Sequence, residues 1–159
     1  MSLLDMDERL LELAGKIEMV FSPLVDQKEF PENVDVALVE GAVSSNEDLE
    51  KLLKVRARSR LLVSLGDCAV TANIPSLRNS FKVQDVLDRA YVENTNLNPG
   101  APKEAVPTLL LQARPIHEFV NVDMYVPGCP PSADTIFYLL AEILEGRCPG
   151  LSAKTRFGA

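Results

Sequence analysis

Residues 34 to 65 constrain the fold of this chain more tightly than any other stretch. Val34-Asp-Val-Ala-Leu-Val-Glu-Gly-Ala-Val is rich in valine and nearly continuous in apolar character, as a strand buried on both faces has to be. Gly41 falls inside that run, and Ser45-Asn-Glu-Asp then forms a capping box that opens a helix carrying Leu49, Leu52, Leu53 and Val55. Leu61-Leu-Val-Ser-Leu follows as a second buried strand and stops at Gly66. Strand, helix, strand with so little between them is a βαβ unit, which makes the strands parallel and crosses over right-handed in nearly all cases. The expected fold class is therefore α/β, a doubly wound parallel sheet.

The flanking segments extend this reading over a single domain, residues 1–159, with residues 146–159 as an irregular tail. Leu3, Leu4, Leu10, Leu11, Leu13 and Ile17 make the apolar stripe of an N-terminal helix, with Ser2 and Asp5 as its capping box. Met19-Val-Phe-Ser-Pro reads as a short strand ended by Pro23. Ile74 to Asn79 reads as a helical turn, and Val83 to Val92 as an amphipathic helix. Asn94 to Pro107 is rich in Asn, Pro and Gly and reads as a loop. Val120 to Val126 alternates as a final strand, and a closing helix from Ser132 to Glu145 presents Ile136, Leu139, Leu140, Ile143 and Leu144.

Composition removes several classes of function. The net charge is −7 and no Lys/Arg cluster stands out, which argues against nucleic acid. The longest apolar stretches are too short to span a bilayer, so no membrane span is expected. No basic segment followed by an apolar one opens the chain, so a cytoplasmic location is expected. Three cysteines, Cys68, Cys129 and Cys148, are an odd set without the rhythm of a disulfide framework, which favours reduced thiols or metal ligands.

In an open parallel sheet, function collects at the carboxyl ends of the strands. Cys68 lies just beyond the second strand of the βαβ unit, in Leu65-Gly-Asp-Cys-Ala. Cys129 lies just beyond the last strand, in Val126-Pro-Gly-Cys-Pro-Pro. If those strands are near neighbours, the two sulfurs converge on one rim. Gly66 and Gly128 would permit the close backbone approach that a metal–sulfur cage needs. Pro130 and Pro131 would stiffen the second loop, and the N-terminus of the last helix would favour a thiolate at Cys129. The plain alternative is two buried core thiols, since free cysteine is often buried.

Gly66-Asp-Cys68-Ala and Pro127-Gly-Cys129-Pro-Pro resemble the last two cluster-ligand motifs of a superfamily. It unites nickel–iron hydrogenase small subunits with the 20-kDa iron–sulfur subunit of respiratory complex I. The resemblance runs through Met1-Ser-Leu-Leu-Asp-Met-Asp-Glu, Val39-Glu-Gly-Ala-Val-Ser-Ser-Asn-Glu-Asp-Leu, Ala69-Val-Thr-Ala-Asn-Ile-Pro-Ser-Leu-Arg-Asn, Asp123-Met-Tyr-Val-Pro-Gly-Cys and Thr155-Arg-Phe-Gly. It is nearest in character to the small subunit of cytoplasmic NAD-reducing (bidirectional) hydrogenases. It implies a flavodoxin-like fold and a proximal [4Fe–4S] cluster, with Cys68 and Cys129 as ligands. It also implies a nickel–iron large subunit and diaphorase iron–sulfur/flavin subunits as partners. The chain would be an electron-transfer subunit of an oxidoreductase, with no catalytic residue of its own. A complex I-type subunit and a cluster-free assembly or scaffold module of the same fold are the alternatives.

In that family an N-terminal strand and a Cys-x-x-Cys loop precede the segment matching Met1-Ser-Leu-Leu-Asp, and the sequence here starts where that loop would end. A shortened sequence or misplaced start codon is expected, together with an unpaired inner slot in the sheet. A cubane needs four ligands, so the chain as written is expected to bind one poorly or not at all.

Other residues invite the same comparison of roles. Glu40, at the carboxyl end of the first buried strand, could orient the missing loop or relay a proton, or act as a simple polar cap. Cys148 is expected at the far end of the last helix and incidental, and the single histidine, His117, structural. Arg78 and Asn79 read as partner contacts or a solvated helix end. FMN is conceivable for a flavodoxin-like fold but unsupported, because the loop after the first strand that binds its phosphate is absent. No Gly-x-Gly-x-x-Gly supports NAD binding to this chain.

Overall fold

The computed structural model describes residues 4–23 and 25–158. Three parallel strands form the central sheet, β1 (Val34–Glu40), β3 (Ser59–Leu65) and β5 (Met124–Val126), in the order β1-β3-β5. Helix α2 (Asn46–Arg58) connects β1 to β3. A separate antiparallel pair, β2 (Val43–Ser45) with β4 (Leu109–Arg114), flanks it. Helices α1 (Glu8–Ala14), α3 (Asp67–Thr71), α4 (Val83–Asp88) and α5 (Ala133–Leu144) complete the main elements. The result is a mixed α/β architecture consistent with a flavodoxin-like fold.

Both faces of the sheet are covered, and two adjacent residues show it. Leu62 and Val63 are each fully buried, although neighbours in a strand point to opposite faces. Leu62 packs with Val43, Leu52, Ala69 and Ile116, on the side of α2 and α3. Val63 packs with Val126 and Leu139, on the side of α5. Burying a side chain of this size is worth about 1.5–3 kcal/mol.

The capping box is formed as expected. Ser45 Oγ accepts the Asp48 N–H at 3.2 Å, while Asp48 Oδ2 accepts the N–H groups of Ser45 at 2.9 Å and Ser44 at 3.0 Å and the Ser44 hydroxyl at 3.0 Å. Burial pushes the Asp48 carboxyl up, but these bonds outweigh it and hold its pKa below the ordinary 3.8.

Several sequence expectations change. The apolar run from 34 to 43 is two strands in two sheets, because Gly41 at φ +82° turns the chain between them. Met19–Pro23 forms no strand. The N-terminal helix is a 3₁₀ turn, Leu4–Met6, followed by α1, broken at Asp7 with φ 50°; Ser2 and Leu3 lie outside the described residues. The helix from 83 to 92 is α4 continued by a π-helical turn, Arg89–Glu93.

The last strand, Met124–Val126, is shorter than its alternation suggests, and the residue just before it is bonded to β3 and α2 through its side chain. Asp123 Oδ2 accepts the Leu62 N–H at 2.7 Å and the Arg56 guanidinium at 2.7 Å. The Asp123 N–H also donates to Leu62 O at 2.9 Å, and the strand register with β3 runs from Met124. No inner slot is open among the described strands: β1 pairs directly with β3 from Val34↔Ser59 to Glu40↔Leu65, and β3 pairs directly with β5. The unpaired edges lie outside β1 and β5.

Candidate metal centre

Parallel pairing places the carboxyl ends of β1, β3 and β5 on one rim, and both cysteine loops leave from it. The β3–β5 ladder continues past the strands, since the Gly66 N–H donates to Val126 O at 2.8 Å. One residue further, the Asp67 N–H donates to Gly128 O at 2.8 Å, and the Gly128 N–H donates back to Asp67 Oδ1 at 2.7 Å. Cys68 follows Asp67 directly, and Cys129 follows Gly128 directly. The residue before each cysteine is thus bonded twice to the residue before the other.

The glycines are needed for different reasons. Gly66 has φ 84° and ψ 157°, a region open essentially to glycine alone, yet a Cβ there would meet only ordinary contacts, Gly128 O at 3.5 Å and Pro131 Cδ at 3.7 Å. Gly128 has φ +149° and a harder constraint. A Cβ there would lie 2.6 Å from Pro131 Cα and 2.7 Å from Pro131 N. The Cys129–Pro130 peptide is cis. Gly128 and Pro131 are buried while Cys129 is exposed and Cys68 half-buried, so the loop is anchored from below with its thiols outward. The alternative of two core thiols does not describe this placement.

Helix α5 begins where the sequence suggests, at Ser132. Ser132 is its N-cap, with Oγ accepting the Thr135 N–H at 3.2 Å, and Cys129 lies three residues ahead of the cap. Cys68, by contrast, is the second residue of the short helix α3.

Glu40 stands exposed at the end of β1, in register with Leu65, on the same rim. Cys148 is exposed beyond the opposite end of α5, whose 12 residues separate it from the Cys129 loop. His117 is exposed, with its ring edge-on to Tyr125 at 5.9 Å. Arg78 and Asn79 are spent on the molecule itself. Arg78 Nη2 donates to Ser44 O at 3.0 Å and Leu110 O at 2.9 Å. The Asn79 carboxamide pairs with both the N–H and C=O of Ala113, at 2.8 Å each. Together they brace the 3₁₀ helix Ile74–Ser80 on β2 and β4.

Asp67 is the residue that sequence reasoning missed. It is buried, 3% exposed, and both its oxygens accept backbone N–H groups, from Gly128 and from Gly158 at 2.7 Å. A buried carboxylate between two glycine-flanked loops has no periodic signature. The only available signal was its position, between Gly66 and Cys68.

Two cysteines on loops joined in this way offer, from one rim, the thiol donors that an iron–sulfur cubane uses. Among the described residues no group of three or more His, Cys, Asp or Glu could hold a metal ion, and two cysteines fall short of the four ligands a cubane takes. No helix among the described residues is long and apolar enough to cross a membrane.

Residues 1–143 match the family described as NADH ubiquinone oxidoreductase, 20 Kd subunit. The chain is 41% identical over 152 residues to NAD-reducing hydrogenase HoxS subunit delta of Cupriavidus necator, covering 92% of this chain and 73% of that protein. It is 29% identical over 170 residues to the iron-sulfur subunit of an F420-non-reducing hydrogenase from Archaeoglobus profundus, covering 94% of this chain and 53% of that one. It therefore spans about half the length of the second relative. The fold superimposes on a crystal structure of an NAD+-reducing [NiFe]-hydrogenase in the H2-reduced state with a TM-score of 0.93 at 39% identity, covering 98% of this chain and 89% of that one. A family match over most of its length, with a relative and a solved structure of this similarity, shows that the chain belongs to the family of the 20-kDa subunit of NADH ubiquinone oxidoreductase.

Proposed function

We propose that this chain is the electron-transfer small subunit of a nickel–iron hydrogenase complex, with Cys68 and Cys129 as two ligands of a proximal [4Fe–4S] cluster. The observation that carries this reading is the reciprocal hydrogen bonding of Asp67 with Gly128, which ties the two cysteine loops together at their roots. Similarity to a HoxS delta subunit, to a subunit named as iron–sulfur and to an NAD+-reducing hydrogenase structure supports it. When bound, such a cluster takes up and releases electrons one at a time.

Each residue of the site has a separate role. Cys68 and Cys129 present thiolates at one rim. Gly128 lets the second loop close on Pro131, and Gly66 lets β3 turn sharply into α3. Backbone rigidity limits rearrangement when charge arrives. Glu40, on the same rim, is available to orient a neighbouring loop or hold a proton. The partners are a nickel–iron large subunit and, beyond it, diaphorase subunits that reduce a nicotinamide cofactor, in the cytoplasm.

The test uses the chain itself with phenylarsine oxide, which captures two neighbouring thiols. One reagent per chain should bind, and binding should be lost in Cys68→Ser and in Cys129→Ser but kept in Cys148→Ser. Failure to bind, or loss in Cys148→Ser, would remove the shared site. A second reading, a cluster-free assembly module, draws on the presence of only two converging thiols. It predicts no broad visible iron–sulfur absorption after anaerobic supply of iron and sulfide to the assembled complex.

A further inference from the structure

Asp67 is joined to more than the two cysteine loops. Its Oδ1 takes the Gly128 N–H and its Oδ2 the Gly158 N–H, both at 2.7 Å, so each carboxylate oxygen serves a different segment. The second segment is itself fixed. The Thr135 hydroxyl donates to Lys154 O at 2.8 Å, the Thr155 hydroxyl donates to Leu151 O at 2.9 Å, and Lys154 Nζ lies over the Tyr138 ring at 4.4 Å. Residues 151–158 are thereby pinned at two points, the first turn of α5 and Asp67. Those points bracket the turn from Cys129 to Pro131 in sequence: Thr135 lies just after it, and Gly128, bonded to Asp67, just before it.

A carboxylate suits this place where an amide does not. It offers two acceptors, whereas an asparagine there could accept one N–H and would turn an NH₂ against the other. A bond to a charged, buried acceptor is also worth more than a neutral one. We propose that Asp67 is a positioning residue for Cys68 and Cys129, and that residues 151–158 form a strap whose hold on Asp67 sets how the two thiols face each other. This rests on the proposed function only in taking the two thiols as a working pair.

The experiment reads the strap and the thiols separately, in the full chain. Amide hydrogen exchange in Asp67→Asn should speed by about tenfold or more at Gly128 or at Gly158, whichever N–H the carboxamide NH₂ is turned against, the loss expected for one bond to a charged acceptor. Deleting residues 158 and 159 removes the same bond from the strap side and leaves Asp67 intact, which keeps the test decisive if Asp67→Asn folds poorly. Both variants should weaken phenylarsine oxide binding by about tenfold, an effect that general destabilisation without a change at the thiols would not produce. Wild-type exchange at both Gly128 and Gly158 in Asp67→Asn, or undiminished arsenical affinity in both variants, would overturn the proposal. If the wild-type chain fails to bind the reagent, the proposed function falls, while the exchange data still decide whether the strap is held by Asp67.

Discussion

Alanine at Gly128 should damage the cysteine site far more than alanine at Gly66, although both glycines have positive φ and each lies within two residues of a cysteine. At Gly66 the added methyl meets atoms at 3.5 Å and beyond, so the cost is backbone strain alone, about 1–3 kcal/mol. At Gly128 the same strain applies, and the methyl also sits 2.6 Å from Pro131 Cα, about 1 Å inside a normal carbon–carbon contact. The obstacle is backbone of a buried proline and cannot rotate away. Overpacking of this kind adds about 1–3 kcal/mol, for a total of about 2–6 kcal/mol. Urea unfolding of the two variants measures the difference, and phenylarsine oxide binding shows whether the loop has moved. Equal or smaller destabilisation by Gly128→Ala, with arsenical binding intact, would refute the close-approach argument.

Other outcomes follow from single contacts. Ser45→Ala removes the N-cap acceptor of α2 and should lower stability by about 0.5–2 kcal/mol in denaturant unfolding. Asn79→Ala strips partners from the N–H and C=O of buried Ala113, and a loss of about 1–3 kcal/mol is expected in the same assay. For Asp123, burial raises the carboxyl pKa, but the Leu62 N–H and the Arg56 guanidinium outweigh it, so the folded value lies below the ordinary 3.8. Its contribution is therefore complete above that value and lost as pH falls through the folded one; Asp123→Asn should flatten the acid limb of a stability–pH curve. Cys148→Ser should change neither stability beyond about 0.5 kcal/mol nor arsenical binding, being exposed and remote.

Features legible from the chain alone were local or periodic. The capping box at Ser45, the apolar runs of β1 and β3, and the closing helix each carry their own signal, because cap chemistry and apolar spacing are written in neighbouring residues, although β1, at the sheet edge, buries only Ala37. The two Gly-Cys loops were legible for the same reason: strand ends and turn residues mark them. Strand β4 was not, since Leu111 faces outward and the strand's burial does not alternate. Nor did the apolar run from 34 to 43 show that it splits between two sheets, because a turn at Gly41 leaves the pattern unbroken.

Which distant groups meet emerged only with the packed fold. Asp67 binds Gly128 across 61 residues and Gly158 across 91, and Asp123 joins the start of the last strand to Arg56 and Leu62. A hydrogen-bonding side chain can serve any donor that folding brings to it. Its partner is therefore a property of the packed sheet rather than of spacing along the chain.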